Sequence, residues 1–149
     1  NIFNKLKAKL PKFIHSFPIE KIEISNLILA NKNNLNKLIK IVHPEIRRKL
    51  NNFLKKNKNK KIVILDIPLL LENKINKKKD ILVFVESKKS DIFKRLKKRD
   101  NFNKQLFRKF KNIQLSSSYK KKKSKFIIKN DFSKKTVKRA IRNILEEII

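Results

Sequence analysis

The chain has 149 residues, 40% of them apolar, and a formal net charge of +30, which fits one folded domain with a strongly basic surface. It has no cysteine and only two histidines, so disulfides and a zinc site built from these residues alone are excluded. No apolar run approaches the ~20 residues of a membrane span, and the lysines are spread along the whole chain, so we expect neither a membrane nor a specific nucleic-acid partner.

Residues 1–56 are predicted to be helical. Apolar residues recur there at helical spacing in four groups: Ile2, Phe3, Leu6 and Leu10; Ile24, Leu27 and Ile28; Leu35, Leu38, Ile39 and Val42; and Ile46, Leu50, Phe53 and Leu54. Pro11 is expected to end the first helix. His43 and Pro44 are expected to break the third pattern, with Pro44 in the first turn of a new helix.

Three short apolar runs in the second half of the chain are predicted to be buried strands: residues 62–65, 81–85 and 126–128. Helices are predicted between and after the last two strands. The first of these helices is predicted to have Ser90 as its N-cap and to carry Ile92, Phe93 and Leu96. After an interruption at Asn101, a second helix carries Leu106, Phe107, Phe110 and Ile113. The last helix is capped by Asp131 or Ser133. Strands that alternate with helices predict an α/β fold with a parallel sheet.

Asp66 is the strongest candidate for a functional residue in this half. It directly follows the predicted strand 62–65, and ligands of parallel sheets bind beyond the carboxyl ends of the strands. The alternative is an aspartate that only caps the next turn. Glu72 either belongs to the same site or is an ordinary surface carboxylate. The residues expected to shape a pocket wall between them are Pro68, Leu69 and Leu70.

Arginine is scarce in this chain, with 7 arginines against 35 lysines, so an arginine retained in a motif indicates that a planar guanidinium is needed there. Arg95 and Arg99 are four residues apart in one predicted helix, where two guanidinium groups suit phosphates and a flat adenine. His43 and Arg47 have the same spacing and offer an imidazole and a guanidinium to an anionic ligand. The alternative for both pairs is a solvated basic face, with His43 as a simple cap.

Six motifs follow one another along the chain: HPEIRRKL at 43–50, VILDIPLLLE at 63–72, a V-F-V strand at 83–85, DIFKRLKKRD at 91–100, Gln114, and FIIKND at 126–131. Their order and spacing resemble the dephospho-CoA kinase family. The resemblance extends from about Val42 to the C-terminus. The HPxIR and DxPLLxE segments are its most specific parts.

The resemblance implies a cytoplasmic P-loop kinase with a parallel sheet flanked by helices, a helical substrate-binding subdomain and a lid. Such an enzyme transfers the γ-phosphoryl group of ATP, with Mg²⁺, to the ribose 3′-hydroxyl of dephospho-CoA, in the last step of coenzyme A biosynthesis. The chain would then be one domain, with residues 1–56 as the CoA-binding part, 57–149 as core and lid, and the lid at about 97–122.

The resemblance also assigns residues. It implies a catalytic role for Asp66 and places dephospho-CoA against His43, Arg47, Pro68, Leu69, Leu70 and Glu72. ATP and the lid are assigned Arg95, Arg99, Gln114 and Asn130, with a weaker claim for Arg108. For Asn130, an equal alternative is that it only forms a turn with Asp131. Residues 120–123 are expected to be a solvated run of charges.

One feature of the family is missing, because its glycine-rich phosphate loop cannot lie in a sequence without glycine. The chain also lacks methionine, and we therefore expect it to be an N-terminally truncated fragment that is inactive by itself and holds no metal ligands. Two alternatives stay open: another small P-loop nucleotide kinase, and a basic module that binds nucleic acid. The sequence does not predict the oligomeric state.

Overall fold

The computed structural model describes residues 1–100 and 102–149, so the interruption predicted at Asn101 lies outside the described residues. The elements in chain order are α1 Ile2–Lys9, α2 Lys21–Ala30, α3 Lys32–Lys56, β1 Val83–Glu86, α4 Lys89–Lys97, α5 Lys104–Ile113, α6 Ser117–Lys123, β2 Phe126–Lys129 and α7 Lys134–Ile148. They divide into two compact units, Asn1–Asp66 and Ile67–Ile149. Within the described parts, no helix combines the length and apolar character that crossing a membrane requires.

The first unit is helical, as its apolar spacing predicts. Helices α1 and α2 each pack against the long helix α3. The buried apolar side chains of this unit are Leu6, Leu10, Ile14, Leu27 and Ile28. Burial of a side chain of this size contributes roughly 1.5–3 kcal/mol, so these few residues supply much of the stability of the unit.

A buried carboxylate organises the chain before α2. Glu23 Oε1 accepts hydrogen bonds from the backbone N–H of His15 at 2.7 Å and of Ser16 at 3.0 Å, and Glu23 Oε2 accepts one from Glu20 N at 3.1 Å. The bond from Ser16 N lowers the pKa of Glu23 most, and with the other bonds it outweighs the opposing effect of burial. The carboxylate therefore fixes the turn that leads into α2.

Helix α3 runs without a break through Pro44, so the predicted start of a new helix at that position is wrong. Proline has no N–H to donate to the carbonyl four residues earlier, which costs about 3 kcal/mol in a helix interior. Two features hold the helix: Asn31 caps it by accepting from Asn33 N at 2.8 Å, and both α1 and α2 pack along it. Tertiary packing outweighs the local penalty of one proline.

The second unit contains a small parallel sheet, as predicted. Strands β1 and β2 pair in parallel, with Val83 opposite Phe126 and Val85 opposite Ile128. Helix α7 packs on β2. Ile128 is buried, whereas Val83 and Val85 on β1 are exposed. Of the two strands, β2 is thus the more covered, and the carboxyl ends of the sheet are at Glu86 and Lys129.

The strand predicted at residues 62–65 is wrong, because the segment has no regular secondary structure. The ladder formed by the described residues joins β1 to β2 and does not include this segment. Ile64 is 83% exposed, so the segment is also not buried on both faces. A strand exists only where a neighbouring backbone accepts and donates its hydrogen bonds, and an apolar run alone does not supply that neighbour.

Two further local predictions need correction. Helix α4 begins at Lys89, so Ser90 lies inside it and is not its N-cap; Lys88, in an extended conformation, holds that position. Residues 120–123 do not form a simple solvated run, since they end helix α6 and two of their lysines form ion pairs.

The predicted caps of the last helix are both used. Ser133 is the N-cap of α7, and the Asp131 carboxylate accepts from Ser133 N at 2.9 Å and from Thr136 Oγ1 at 3.0 Å. The bond from Ser133 N is the largest cause of the lowered pKa of Asp131. The Asp131 side chain therefore stabilises the first turn of α7.

Candidate functional site

The first candidate site is a basic groove on one face of α3. The groove has a volume of about 620 Å³ and is lined by Ile39, Lys40, His43, Pro44, Arg47, Arg48 and Asn51. The structure thus brings His43 and Arg47 together, as their spacing predicts. His43 is half-buried, whereas Arg47 is exposed. This face of α3 therefore presents an imidazole and a guanidinium to a ligand.

Charge pairing distinguishes the two neighbouring arginines of this groove. Arg48 Nε donates to Glu45 Oε2 at 3.1 Å, and Arg48 Nη2 also pairs with the other oxygen of the same carboxylate. The hydrogen bond from Arg48 is the largest cause of the lowered pKa of Glu45. Since Glu45 neutralises Arg48, the cations left to attract an anion into the groove are those of Lys40 and Arg47.

Asp66, the candidate for catalysis, is exposed and is the last residue of the first unit. It belongs to the irregular segment that was predicted to be a strand. Its predicted position just beyond a strand end is therefore not observed. A role for its carboxylate in catalysis stays a prediction.

The segment 68–74 at the start of the second unit forms a run of tight turns. Both the backbone N–H and the side-chain Nδ2 of Asn73 donate to Leu69 O, at 3.0 and 2.9 Å, and Ile75 N donates to Leu70 O at 3.1 Å. Pro68 is exposed, and Leu69 and Leu70 are half-buried. These side chains thus lie on a backbone that makes several local hydrogen bonds.

Glu72 extends from this segment to a distant part of the chain. Its Oε1 accepts from Leu115 N at 2.9 Å and lies 2.7 Å from Lys120 Nζ. Burial raises the pKa of the Glu72 carboxyl, but the bonds from Lys120 and from backbone N–H groups outweigh it, so the pKa lies below its ordinary value. Glu72 is therefore ionised at neutral pH and engaged by residues of its own chain.

The second candidate site lies at the carboxyl ends of β1 and β2. The Arg95 guanidinium carbon lies 4.3 Å from the centroid of the Phe132 ring, a cation–π contact. Asn130 Oδ1 accepts from Phe132 N at 2.8 Å, and Asn130 N donates to Glu86 O at 2.7 Å. The structure thus brings Arg95 and Asn130 into one cluster through Phe132, a residue to which the sequence analysis assigned no role.

The other predicted lid residues are placed differently. Helix α4 ends at Lys97, so Arg99 lies in the turn after it and does not share a helical face with Arg95. The backbone N–H of Arg99 donates to Leu96 O at 3.1 Å, which closes that turn. Gln114 is the exposed residue that follows α5, and Arg108 is exposed on the same helix. Arg95 and Arg99 thus do not form the predicted pair on one helix.

Metal binding has no preformed site in the described chain. Among residues 1–100 and 102–149, no three histidine, aspartate or glutamate side chains are grouped so that they could hold a metal ion.

Comparison with known proteins assigns the family. A family model described as dephospho-CoA kinase matches residues 18–136. The chain belongs to the dephospho-CoA kinase family. A protein of Wolbachia pipientis named dephospho-CoA kinase is 30% identical over 150 residues, which cover 99% of this chain and 76% of that protein.

Two further relatives carry the name dephospho-CoA kinase. One from Fusobacterium nucleatum is 32% identical over 132 residues, which cover 87% of this chain and 67% of the relative. One from Rickettsia bellii is 32% identical over 140 residues, with 94% and 72% coverage. The residues that match the family include every candidate from His43 to Asn130. The resemblance found in the sequence motifs is therefore confirmed, and the α/β architecture with a parallel strand pair agrees with it.

Proposed function

We propose that the reaction this chain serves is that of a dephospho-CoA kinase, which transfers the γ-phosphoryl group of ATP to the ribose 3′-hydroxyl of dephospho-CoA in the last step of coenzyme A biosynthesis. The observation that carries the proposal is the match to that family over residues 18–136. The two clusters described above supply one surface for each substrate. The enzyme works by positioning and charge neutralisation rather than by a covalent intermediate.

Dephospho-CoA is assigned to the α3 groove, within the helical part proposed to bind CoA. The diphosphate of this ligand needs cations, and Arg47 and Lys40 offer them next to the half-buried imidazole of His43. In the second unit, Pro68, Leu69 and Leu70 of the segment 68–74 are proposed to contact dephospho-CoA through their apolar side chains.

ATP is assigned to the cluster of Arg95 and Asn130, in the proposed core and lid part. Arg95 already stacks one face of its guanidinium on Phe132, which orients the plane for an adenine or a phosphate. Asn130 lies where ligands of parallel sheets bind, just beyond the strand ends. Arg99 and Gln114, in the proposed lid at 97–122, are placed to meet the phosphates only if that segment moves towards them.

Two parts of the reaction remain: the orientation of the acceptor hydroxyl and the neutralisation of the phosphate charge. Asp66 is proposed to orient the 3′-hydroxyl of the acceptor. Mg²⁺ would neutralise the charge of the ATP phosphates when bound. The sequence has no glycine and hence no glycine-rich phosphate loop, and the expectation that the 149-residue chain is inactive alone stays a prediction.

Substitution of Arg47 tests the acceptor site. Arg47→Lys keeps the charge and removes the planar fork, so we expect the dissociation constant for dephospho-CoA to rise about tenfold, which corresponds to roughly 1.4 kcal/mol. Titration calorimetry at moderate salt measures it. Arg139→Lys, an exposed substitution of the same kind on α7, should change the constant less than twofold. Equal effects of the two variants would remove Arg47 from the site.

A further inference from the structure

The segment 68–74 adopts a backbone shape that its own residues do not favour. Leu69 has a φ of 57° and Lys74 a φ of 50°, so two residues with side chains occupy the left-handed region that glycine normally fills. Each such residue costs free energy, and the conformation persists only when its surroundings fix it. The segment therefore needs an anchor outside itself.

The contacts of Glu72 supply that anchor. The carboxylate reaches Leu115 N and Lys120 Nζ, 43 and 48 positions further along the chain, at 2.9 and 2.7 Å. The Glu72 side chain is only 7% exposed and that of Lys120 22% exposed, so water screens this pair less than a surface pair. A partly buried carboxylate with two donors holds its position more firmly than an exposed one.

Lys120 differs from its neighbours in the run of lysines that ends α6. Lys121 pairs with Glu86, and Lys122 is exposed. Lys120 is the lysine of this run that contacts the segment 68–74 in the described structure. Neutralisation of surface charge does not explain why Lys120 makes this pair, because any lysine of the run could neutralise a negative charge on the surface.

We propose that Glu72 and Lys120 are positioning residues for the acceptor site: their pair holds the segment 68–74 in the shape that receives dephospho-CoA. This inference rests on the proposed function, which places Pro68, Leu69 and Leu70 against that ligand. It changes the role predicted for Glu72, since Glu72 Oε1 already accepts from Leu115 N and pairs with Lys120 Nζ. Lys120 gains a role that its sequence context did not indicate.

Amide hydrogen exchange of the unliganded chain tests the anchoring. Lys120→Met removes the charge and keeps the side-chain length, so exchange at Asn73 N and Ile75 N, which donate to Leu69 O and Leu70 O, should accelerate about tenfold or more. Lys122→Met is the matched control, with the same charge change in the same helix, and should alter these amides less than twofold. No acceleration in Lys120→Met overturns the proposal.

The ligand arm measures the dissociation constants for dephospho-CoA and for tripolyphosphate, a polyanion without the rest of the ligand. Lys120→Met should weaken dephospho-CoA binding about tenfold, and Lys120→Arg, which restores the cation, should return it to within about threefold. For tripolyphosphate, Lys120→Met and Lys122→Met should have equal effects. If Lys120→Met does not fold, Glu72→Gln, which keeps the shape and an acceptor for Leu115 N, takes its place.

The two proposals fail in different ways. If the unsubstituted chain binds dephospho-CoA and Lys120→Met binds it as well as Lys122→Met does, the positioning role is wrong and the proposed function stands. If the unsubstituted chain does not bind dephospho-CoA, the proposed function fails and the positioning role falls with it, whatever the exchange rates show.

Discussion

Replacing Leu27 with alanine is expected to lower the free energy of unfolding of the helical unit by about 2–5 kcal/mol. Leu27 is 0% exposed and lies on α2, which packs against α3. Its carbonyl also accepts from the buried Asn34 Nδ2 at 3.0 Å, so the site is held from both helices and cannot collapse easily around a cavity. Urea denaturation followed by far-ultraviolet circular dichroism measures the change.

Ile22→Ala is the matched control, because Ile22 lies on the same helix and is 58% exposed. It should change the free energy of unfolding by less than about 0.5 kcal/mol, as surface substitutions usually do. If the two variants have the same midpoint of unfolding, α2 does not pack on α3 in solution as the structure describes.

Substitution of Arg95 is expected to have the largest effect on ligand binding. Arg95→Lys keeps the positive charge but loses the planar fork that stacks on Phe132, and one lost charge-assisted bond costs roughly 1.5–3 kcal/mol. The dissociation constant for ATP should therefore rise about ten- to a hundredfold. Displacement of a fluorescent ATP analogue measures it on the 149-residue chain.

Arg142→Lys provides the control for Arg95, since Arg142 is an exposed arginine on α7 and the substitution is chemically the same. The affinity for dephospho-CoA should change little in either variant, because Arg95 is assigned to ATP. An Arg95→Lys variant that binds ATP within about twofold of Arg142→Lys would show that Arg95 belongs to a solvated basic surface.

Local patterns predicted the elements whose stability comes from near neighbours in sequence. Helical spacing located α1, α2 and α7, and the apolar runs before Glu86 and Lys129 became the paired strands β1 and β2. The spacing of His43 and Arg47 also placed both in one groove, because four residues along a helix lie on the same face. Specific motifs then identified the family, which the family match confirmed.

Features that depend on distant partners could not be predicted from the sequence. The run at 62–65 has strand-like composition, but a strand also needs a paired backbone, which no local pattern supplies. Pro44 was expected to break a helix, because a rule based on local sequence does not include the packing of α1 and α2 against α3. The pair of Glu72 and Lys120 joins residues far apart in sequence, and nothing in a run of four lysines marks one of them.

The position of Arg99 shows the limit of spacing arguments at helix ends. Arg99 is four positions after Arg95, but α4 ends at Lys97, so the two side chains do not share a helical face. Phe132 has a φ of 65° and follows two turn-forming residues, Asn130 and Asp131. An aromatic residue directly after such a turn, next to a strand end, was the available signal for the contact with Arg95.

The net charge of +30 makes binding of any polyanion at low salt an expected background. A claim about dephospho-CoA therefore needs a comparison in which charge is controlled. Tripolyphosphate offers phosphate charge without adenosine or the pantetheine arm. Contacts of the protein with the adenosine and the pantetheine arm should appear as the difference in affinity between the two ligands.

Calorimetric titration of the unsubstituted chain with dephospho-CoA and with tripolyphosphate, at physiological ionic strength, tests the central claim most directly. The account predicts saturable binding of dephospho-CoA to one site, at least tenfold tighter than binding of tripolyphosphate, and less sensitive to added salt. Equal affinity for the two ligands, with the same dependence on salt, would contradict the assignment of an acceptor site to this chain.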